Sequence, residues 1–221
     1  MKIILAGSTG FIGSAVLQRC IAHPSITFIV ALSRRELSVK HAKLRTIIQP
    51  DFLHYPPEIL SQLEGAEACI WSLGTPRAGR DGHVDYTLAA VHAFASALAT
   101  ELEAQGSRFR FVYLSGAVTE RDQNKSLWFL GESRKMRGGV ETALAEFERE
   151  NADAWKSVVS RPSLVMTGEW VALKYLIPAW YIPVEELAAA LVDVAVSGDG
   201  PVFVENAELR ERGSRALQAA P

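Results

Sequence analysis

The stretch that decides the fold is Ile3-Ile4-Leu5-Ala6-Gly7-Ser8-Thr9-Gly10-Phe11-Ile12-Gly13-Ser14-Ala15-Val16-Leu17. It runs from a short aliphatic strand through three evenly spaced glycines and straight into a helical pattern. Each part has a physical reason to lie at a phosphate-binding turn. Glycines allow a tight turn and a close backbone approach to a ligand, and the first turn of a helix holds N–H groups that have no partner inside the helix. A lone G-x-x-G-x-x-G string says little, because a glycine turn without a ligand would look alike. At the first strand-helix junction of an alternating chain it says much more. Gly7, Ser8, Thr9, Gly10, Phe11, Ile12 and Gly13 are therefore expected to cradle a dinucleotide pyrophosphate.

Outward from this turn, apolar runs of strand length recur at 2–6, 27–32, 44–49, 68–73, 109–115, 157–160 and 201–204, with helical patterns at 13–22, 58–63, 84–105, 137–150 and 184–197. Short, nearly unbroken runs of Ile, Val and Phe are what strands covered on both faces look like. Alternation with helices predicts an α/β fold: a single doubly wound, Rossmann-like parallel sheet of about seven strands, with helices on both faces. No repeat or linker interrupts the chain. The expected organisation is one domain over 1–206 and a polar tail over 207–221, which frays after Arg210.

The end of the second strand bears on the choice of cofactor. An acidic residue there would hold a ribose 2′-hydroxyl, but Leu32 is followed by Ser33-Arg34-Arg35. A carboxylate would repel a 2′-phosphate, whereas guanidinium groups pair with it, so Arg34 and Arg35 favour NADP(H) over NAD(H). The plainer alternative is two solvated arginines at a strand end. Asp51 and Phe52, after the third strand, are expected beside the adenine, or else form only a turn.

The composition is that of an ordinary globular chain, not a disordered or fibrous one. The chain has 221 residues, of which 48% are hydrophobic and 22% charged, with a formal net charge of -2. That balance argues against a basic nucleic-acid surface. No uncharged apolar run reaches the roughly 18 residues of a membrane span, and the run after Lys2 is too short for a secretion signal. Cys20 and Cys69 sit in apolar surroundings without metal-site or redox spacing, which suits buried, reduced thiols in a cytoplasmic protein. No metal-ligand cluster is expected.

Two segments break the strand-helix rhythm, 116–135 and 163–182. Both follow strands at the carboxyl edge, where open α/β sheets bind ligands. They carry Trp128, Phe129, Trp170, Tyr175, Trp180 and Tyr181, which either line a pocket for a hydrophobic small-molecule substrate or pack the loops onto the sheet.

With the residues in view, the chain resembles the atypical, extended short-chain dehydrogenase/reductase superfamily, and within it the Tat-interacting protein 2-like oxidoreductase branch. The resemblance rests on the glycine turn, Ser33-Arg34-Arg35, Leu73-Gly74-Thr75, Val84-Asp85-Tyr86, Phe111-Val112-Tyr113-Leu114-Ser115, Arg161-Pro162-Ser163 and Pro183-Val184-Glu185-Glu186-Leu187-Ala188. It implies that Leu73, Gly74 and Thr75 border the ribose and nicotinamide, that Pro162 and Ser163 close over the nicotinamide, and that Ser115 is the serine that hydrogen-bonds the substrate oxygen.

The family's tyrosine and lysine, four residues apart, have no counterpart. The residues four places after tyrosines 55, 86, 113, 175 and 181 are Ile59, Ala90, Ala117, Ala179 and Glu185. Matching Arg137-Gly138 and Glu141 to the family's Lys-Gly and Glu places Ser133 at the tyrosine position and Arg137 at the lysine position. A serine hydroxyl is a far weaker acid than a phenol, and a guanidinium stabilises an oxyanion but is a poor proton donor. The candidate catalytic residues are thus Ser115, Ser133 and Arg137. His83, Asp85, Tyr86, Glu132 and Lys135 are nearby substitutes; Asp85 reads equally as a helix cap, and Glu141 and Glu148 read as part of a solvated helix face.

Three functions remain open at this stage: an NADP(H)-binding reductase-like enzyme, a non-redox isomerase or cyclase that reuses the fold, and a cofactor-sensing regulator. The expected partner is an apolar small molecule, with no nucleic acid and no membrane. The chain is expected to be a monomer or a homodimer.

Overall fold

The computed structural model describes residues 1–74, 80–104, 106–167 and 180–219, with the backbone alone at 80–83, 100 and 101. The elements are β1 (Lys2–Ala6), α1 (Phe11–Ala22), β2 (Phe28–Ser33), β3 (Leu44–Ile48), α2 (Pro57–Leu63), β4 (Ala66–Trp71) and α3 (Arg80–Phe94). A π-helical turn (Ala95–Ala99) leads into α4 (Thr100–Ala104) and β5 (Phe109–Leu114). There follow α5 (Gly131–Glu150), β6 (Trp155–Arg161), β7 (Leu164–Met166), β8 (Tyr181–Pro183), α6 (Val184–Ser197), β9 (Phe203–Glu205) and α7 (Asn206–Gln218).

Seven strands form one sheet in the order β3-β2-β1-β4-β5-β6-β9, and every neighbouring pair is parallel. This is the doubly wound arrangement expected from the alternating runs. The order reverses beside β1, where Ala6 is level with Leu32 of β2 on one side and with Trp71 of β4 on the other. The carboxyl ends of the three central strands therefore open into one crevice, the place where such sheets take ligands.

Strand alternation splits the core in two. Ile3 and Leu5 face an aliphatic layer built with Val16 and Leu17 of α1, Leu187 and Leu191 of α6, and Leu209 of α7. Ile4 and Ala6 face the other side, where Trp71, Phe94, Phe109, Phe111, Tyr113 and Trp155 pack beneath α3 and α5. Phe109 and Phe111 stack on Trp155 at 5.1 and 5.7 Å, a geometry that adds to what area burial supplies.

Several expectations are corrected. The tail after Arg210, expected to fray, is helical where it is described, because helix α7 extends to Gln218. Leu209 and Gly213, four residues apart, bury one face against α6, and a Cβ on Gly213 would stand 2.0 Å from the Glu186 carbonyl. Helix α5 starts at Gly131, not at 137, after Leu130 caps it in a left-handed conformation (φ 47°). The helix expected over 84–105 begins at Arg80, so Asp85 lies inside it instead of capping it. Glu141 is fully buried and Glu148 is paired with Lys156 at 3.1 Å, so neither belongs to a solvated face.

Candidate functional site

The glycine turn is held by close backbone packing. Gly7 has φ +87°, and a Cβ there would meet the Ser72 carbonyl at 2.5 Å; on Gly13 it would meet the Gly7 carbonyl at 2.1 Å. Both positions therefore require glycine. Ser72, which the sequence reading passed over, locks the junction by donating from its amide and its hydroxyl to the Ala6 carbonyl at 3.0 and 2.7 Å. Gly10 caps α1 without a side chain, and the first turn contains no acidic residue. The leading N–H groups and the positive end of the helix are thus left for an anion. Ser8 is buried, and its hydroxyl has no hydrogen-bond partner among the described residues.

Beside the turn lies a cavity of about 440 Å³ lined by Gly7, Ser8, Thr9, Leu32, Ser33, Arg34, Arg35, Phe52 and Leu73. Arg34 and Arg35 are exposed and form no ion pair among the described residues. The Ser33 hydroxyl accepts from the Arg35 amide at 3.3 Å, which orders the bend that carries them. Phe52 packs edge-on to Trp71 at 5.8 Å. Asp51 does not line this cavity. Its carboxylate takes the Leu53 amide at 2.9 Å and the His54 ring at 2.7 Å, and these bonds hold its carboxyl below the usual range. Asp51 therefore serves the turn that presents Phe52, the alternative left open for this pair. Buried Gln49 braces the same turn by donating to the His54 carbonyl at 2.6 Å.

A larger cavity, about 770 Å³, opens on the other side of the turn. Gly10, Phe11, Ile12 and Gly13 form one wall, Ser72, Leu73 and Gly74 the floor, and Leu114–Val118, Arg137, Pro162–Val165 and Trp180 the rest. Its mouth is ringed by exposed Phe11, Val118, Leu164 and Trp180, an apolar rim of the kind that marks a ligand site. Loop 116–130 is sewn to α5: the Glu120 amide donates to the Arg134 carbonyl at 3.1 Å, and the Gln123 side chain donates to the Lys135 carbonyl at 2.9 Å.

Ser115 and Arg137 both line this cavity, whereas Ser133, one helical turn before Arg137, does not. Ser115 is already engaged. Its hydroxyl donates to Glu141 at 2.6 Å and lies 3.2 Å from the Thr119 hydroxyl. Glu141 is in turn clamped by Arg161, through Nε at 3.0 Å and through Nη2 on its other oxygen, and Arg161 also reaches Glu205 at 2.9 Å. The bond to Glu141 raises the Arg161 pKa. Of the tyrosines described, none lines either cavity. Tyr113 is fully buried, and desolvation pushes its phenol up, away from acid catalysis at neutral pH.

Of the aromatics expected around a pocket, Trp180 lines it, Tyr181 is buried in β8, and Trp128 is 96% exposed beside Phe129. Thr75, Trp170 and Tyr175 lie outside the described residues, as does the side chain of His83. Glu132 is exposed, and neither it nor Lys135 lines the cavity. Pro162 and Ser163 do, and the Ser163 amide is fixed by Asn206 at 2.9 Å. The sequence reading missed Glu141, Arg161 and Asn206. Arg161 precedes the Pro-Ser pair that was noticed, but nothing local in the chain says that it meets a helix twenty residues upstream.

No protein-family model matches the chain. It is 35% identical over 123 residues to Leucinostatins biosynthesis cluster protein T of Purpureocillium lilacinum, a match covering 52% of this chain and 42% of that one. It is 36% identical over 81 residues to Protein fmp52, mitochondrial, of Emericella nidulans, covering 35% of each. The matched part is thus less than half the length of either curated relative. Among solved structures, an oxidoreductase of the short-chain dehydrogenase/reductase family from Burkholderia thailandensis has a TM-score of 0.65 at 16% identity, over 94% of this chain and 92% of that one. Yeast methylglyoxal/isovaleraldehyde reductase Gre2, solved with NADPH, has a TM-score of 0.66 at 13% identity, over 88% and 74%. At such identities the likeness is one of fold: the chain has the Rossmann-type α/β fold of short-chain dehydrogenases and reductases. No described helix is long and apolar enough to cross a membrane.

Proposed function

We propose that the protein is an atypical NADP(H)-dependent oxidoreductase acting on a hydrophobic small molecule without a tyrosine-lysine pair. The observation that carries this reading is the buried Ser8 hydroxyl in the glycine cradle, at the uncapped start of α1 and beside Arg34 and Arg35, all three without a side-chain partner among the described residues. These groups suit a pyrophosphate and a 2′-phosphate. The resemblance to the Tat-interacting protein 2-like branch supports the same assignment.

In this reading the Gly7–Gly13 turn and the N–H groups of α1 hold the pyrophosphate, Arg34 and Arg35 pair with the 2′-phosphate, and Phe52 lies against the adenine. Leu73, Gly74, Pro162 and Ser163 border the nicotinamide, and Thr75 is assigned with them by resemblance. NADP(H), when bound, supplies hydride chemistry. Arg137 presents a fixed positive charge to the substrate without giving up a proton. Ser115, its hydroxyl proton directed to Glu141, offers the cavity a hydrogen-bond acceptor.

Titration of the purified protein with NADPH and NADH, followed by fluorescence, tests this reading. NADPH should saturate well below millimolar and bind more tightly than NADH, and Arg34→Asp or Arg35→Asp should reduce the NADPH preference by about tenfold or more. Absence of binding at millimolar NADPH, or equal losses for both cofactors, would refute it. One observation favours a second reading, a non-redox isomerase or cyclase, or a cofactor sensor: Ser115 is committed to Glu141 and no described tyrosine reaches the cavity. Bound NADPH whose absorbance never changes with any carbonyl compound would favour that alternative.

A further inference from the structure

We propose that Arg137 is an anion site and that the substrate is an apolar molecule carrying a single carboxylate, which the Arg137 guanidinium grips inside the 770 Å³ cavity. This deepens the proposed function and rests on its reading of this cavity as the substrate end of the dinucleotide site.

Arg137 is the one charged residue among the described residues that line the cavity. It is half-buried and makes no hydrogen bond or ion pair among the described residues. The carboxylate placed to neutralise it is Glu141, one helical turn on. Glu141 is turned the other way, with both oxygens taken by Arg161 and one shared with Ser115. The guanidinium instead lies over the Gly116 backbone, where a Cβ would stand 3.1 Å from Nη1. Position 116 has no side chain to cover it.

A guanidinium does not shed its charge at physiological pH, so an unpaired one among apolar walls is costly until an anion arrives. The surroundings set the rest of the ligand: Val118, Leu164, Val165 and Trp180, its indole N–H apart, offer apolar surface. One guanidinium matches one carboxylate through paired N–H donors. A phosphate dianion would need further donors; those at the start of α1, on another wall of the same cavity, go to the cofactor's pyrophosphate in this reading, and Arg34 and Arg35 line the neighbouring cavity. The rival use of Arg137 is to hold the cofactor's ribose.

The test is calorimetric titration of the full chain with octanoate and with octan-1-ol, each with and without saturating NADPH. Wild type should bind octanoate about tenfold or more tightly than octan-1-ol. Arg137→Met should abolish that preference, Arg137→Lys should keep part of it, and Arg137→Met should leave NADPH affinity within about threefold. Gly116→Ala, which crowds the guanidinium while leaving its charge, should weaken octanoate and spare octan-1-ol. Equal binding of the two probes by wild type overturns the proposal, as does undiminished octanoate binding by Arg137→Met. A loss of NADPH matching the loss of octanoate assigns Arg137 to the ribose and also overturns it. Octanoate binding that depends on Arg137 in a protein that never binds NADPH refutes the cofactor assignment and leaves the anion site standing.

Discussion

Replacing Glu141 by glutamine should cost the fold a measurable and calculable amount. The carboxylate is fully buried, and both its oxygens are held by Arg161. The amide keeps the volume and one acceptor but leaves Arg161, with 16% of its side chain exposed, facing a neutral group. Removing one partner of a buried pair costs about 3–5 kcal/mol. Two features reduce that figure. Arg161 retains Glu205, and although that partner is 58% exposed and worth under about 1 kcal/mol, it keeps the guanidinium from being wholly unpaired. The arginine also keeps some access to water. A loss of about 2–3 kcal/mol is expected, which for a chain of this size lowers Tm by about 5–10 °C. Urea and thermal unfolding followed by circular dichroism measure it. A cycle with Arg161→Met isolates the pair, and the double variant should be at least about 1 kcal/mol more stable than the summed single losses predict. A Glu141→Gln protein within about 0.5 kcal/mol of wild type, or strictly additive losses, would show that the buried clamp does not hold α5 to β6.

Two further outcomes follow from other parts of the molecule. Gly13→Ala drives a Cβ to 2.1 Å from the Gly7 carbonyl and should both destabilise the fold by about 2 kcal/mol or more and weaken NADPH, whereas Gly10→Ala, whose nearest neighbour is at 3.3 Å, should lose about 1 kcal/mol or less while still weakening NADPH. Equal Tm losses in the two variants would contradict the packing. Burial pushes the Cys20 thiol up to about 12 and Cys69 well above its ordinary value, so iodoacetamide at pH 8 should label neither in the native protein and both in urea. Because these folded-state values are raised, the thiols favour the fold below the unfolded pKa near 9 and cease to do so as pH climbs through the folded values. Rapid native labelling at pH 8 would show that the core opens.

Much of the fold was legible because its signals are local. The glycine turn, the aliphatic runs and the helical spacing each fit within a dozen residues, and β1 and α6 occur at the very bounds that were read. Errors fell where ends depend on distant packing. The polar α7 sequence looked unsupported until Gly213 allowed it to touch α6, and α5 gained a turn and a half because loop 116–130 folds back to pair with its first residues. The glycine turn and the basic strand end beside it were readable for the same reason as the fold: both are contiguous motifs. The reacting half was only partly so. Ser115 and Arg137 were found from residue type and do meet in one cavity, but Ser133 does not, and Asp51 proved to be a turn residue.

The chain's pattern of apolar runs and glycines determines a doubly wound sheet with a glycine turn at its first junction, because hydrophobic periodicity and turn chemistry are properties of neighbouring residues. Only tertiary structure decided which charges are neutralised. Glu141, read as solvated, is drawn inward by an arginine that arrives on β6, and Arg137, its neighbour on the same helix, is left facing an apolar cavity without a counterion among the described residues. Charge pairing across a sheet depends on distances in space that no spacing along the chain encodes.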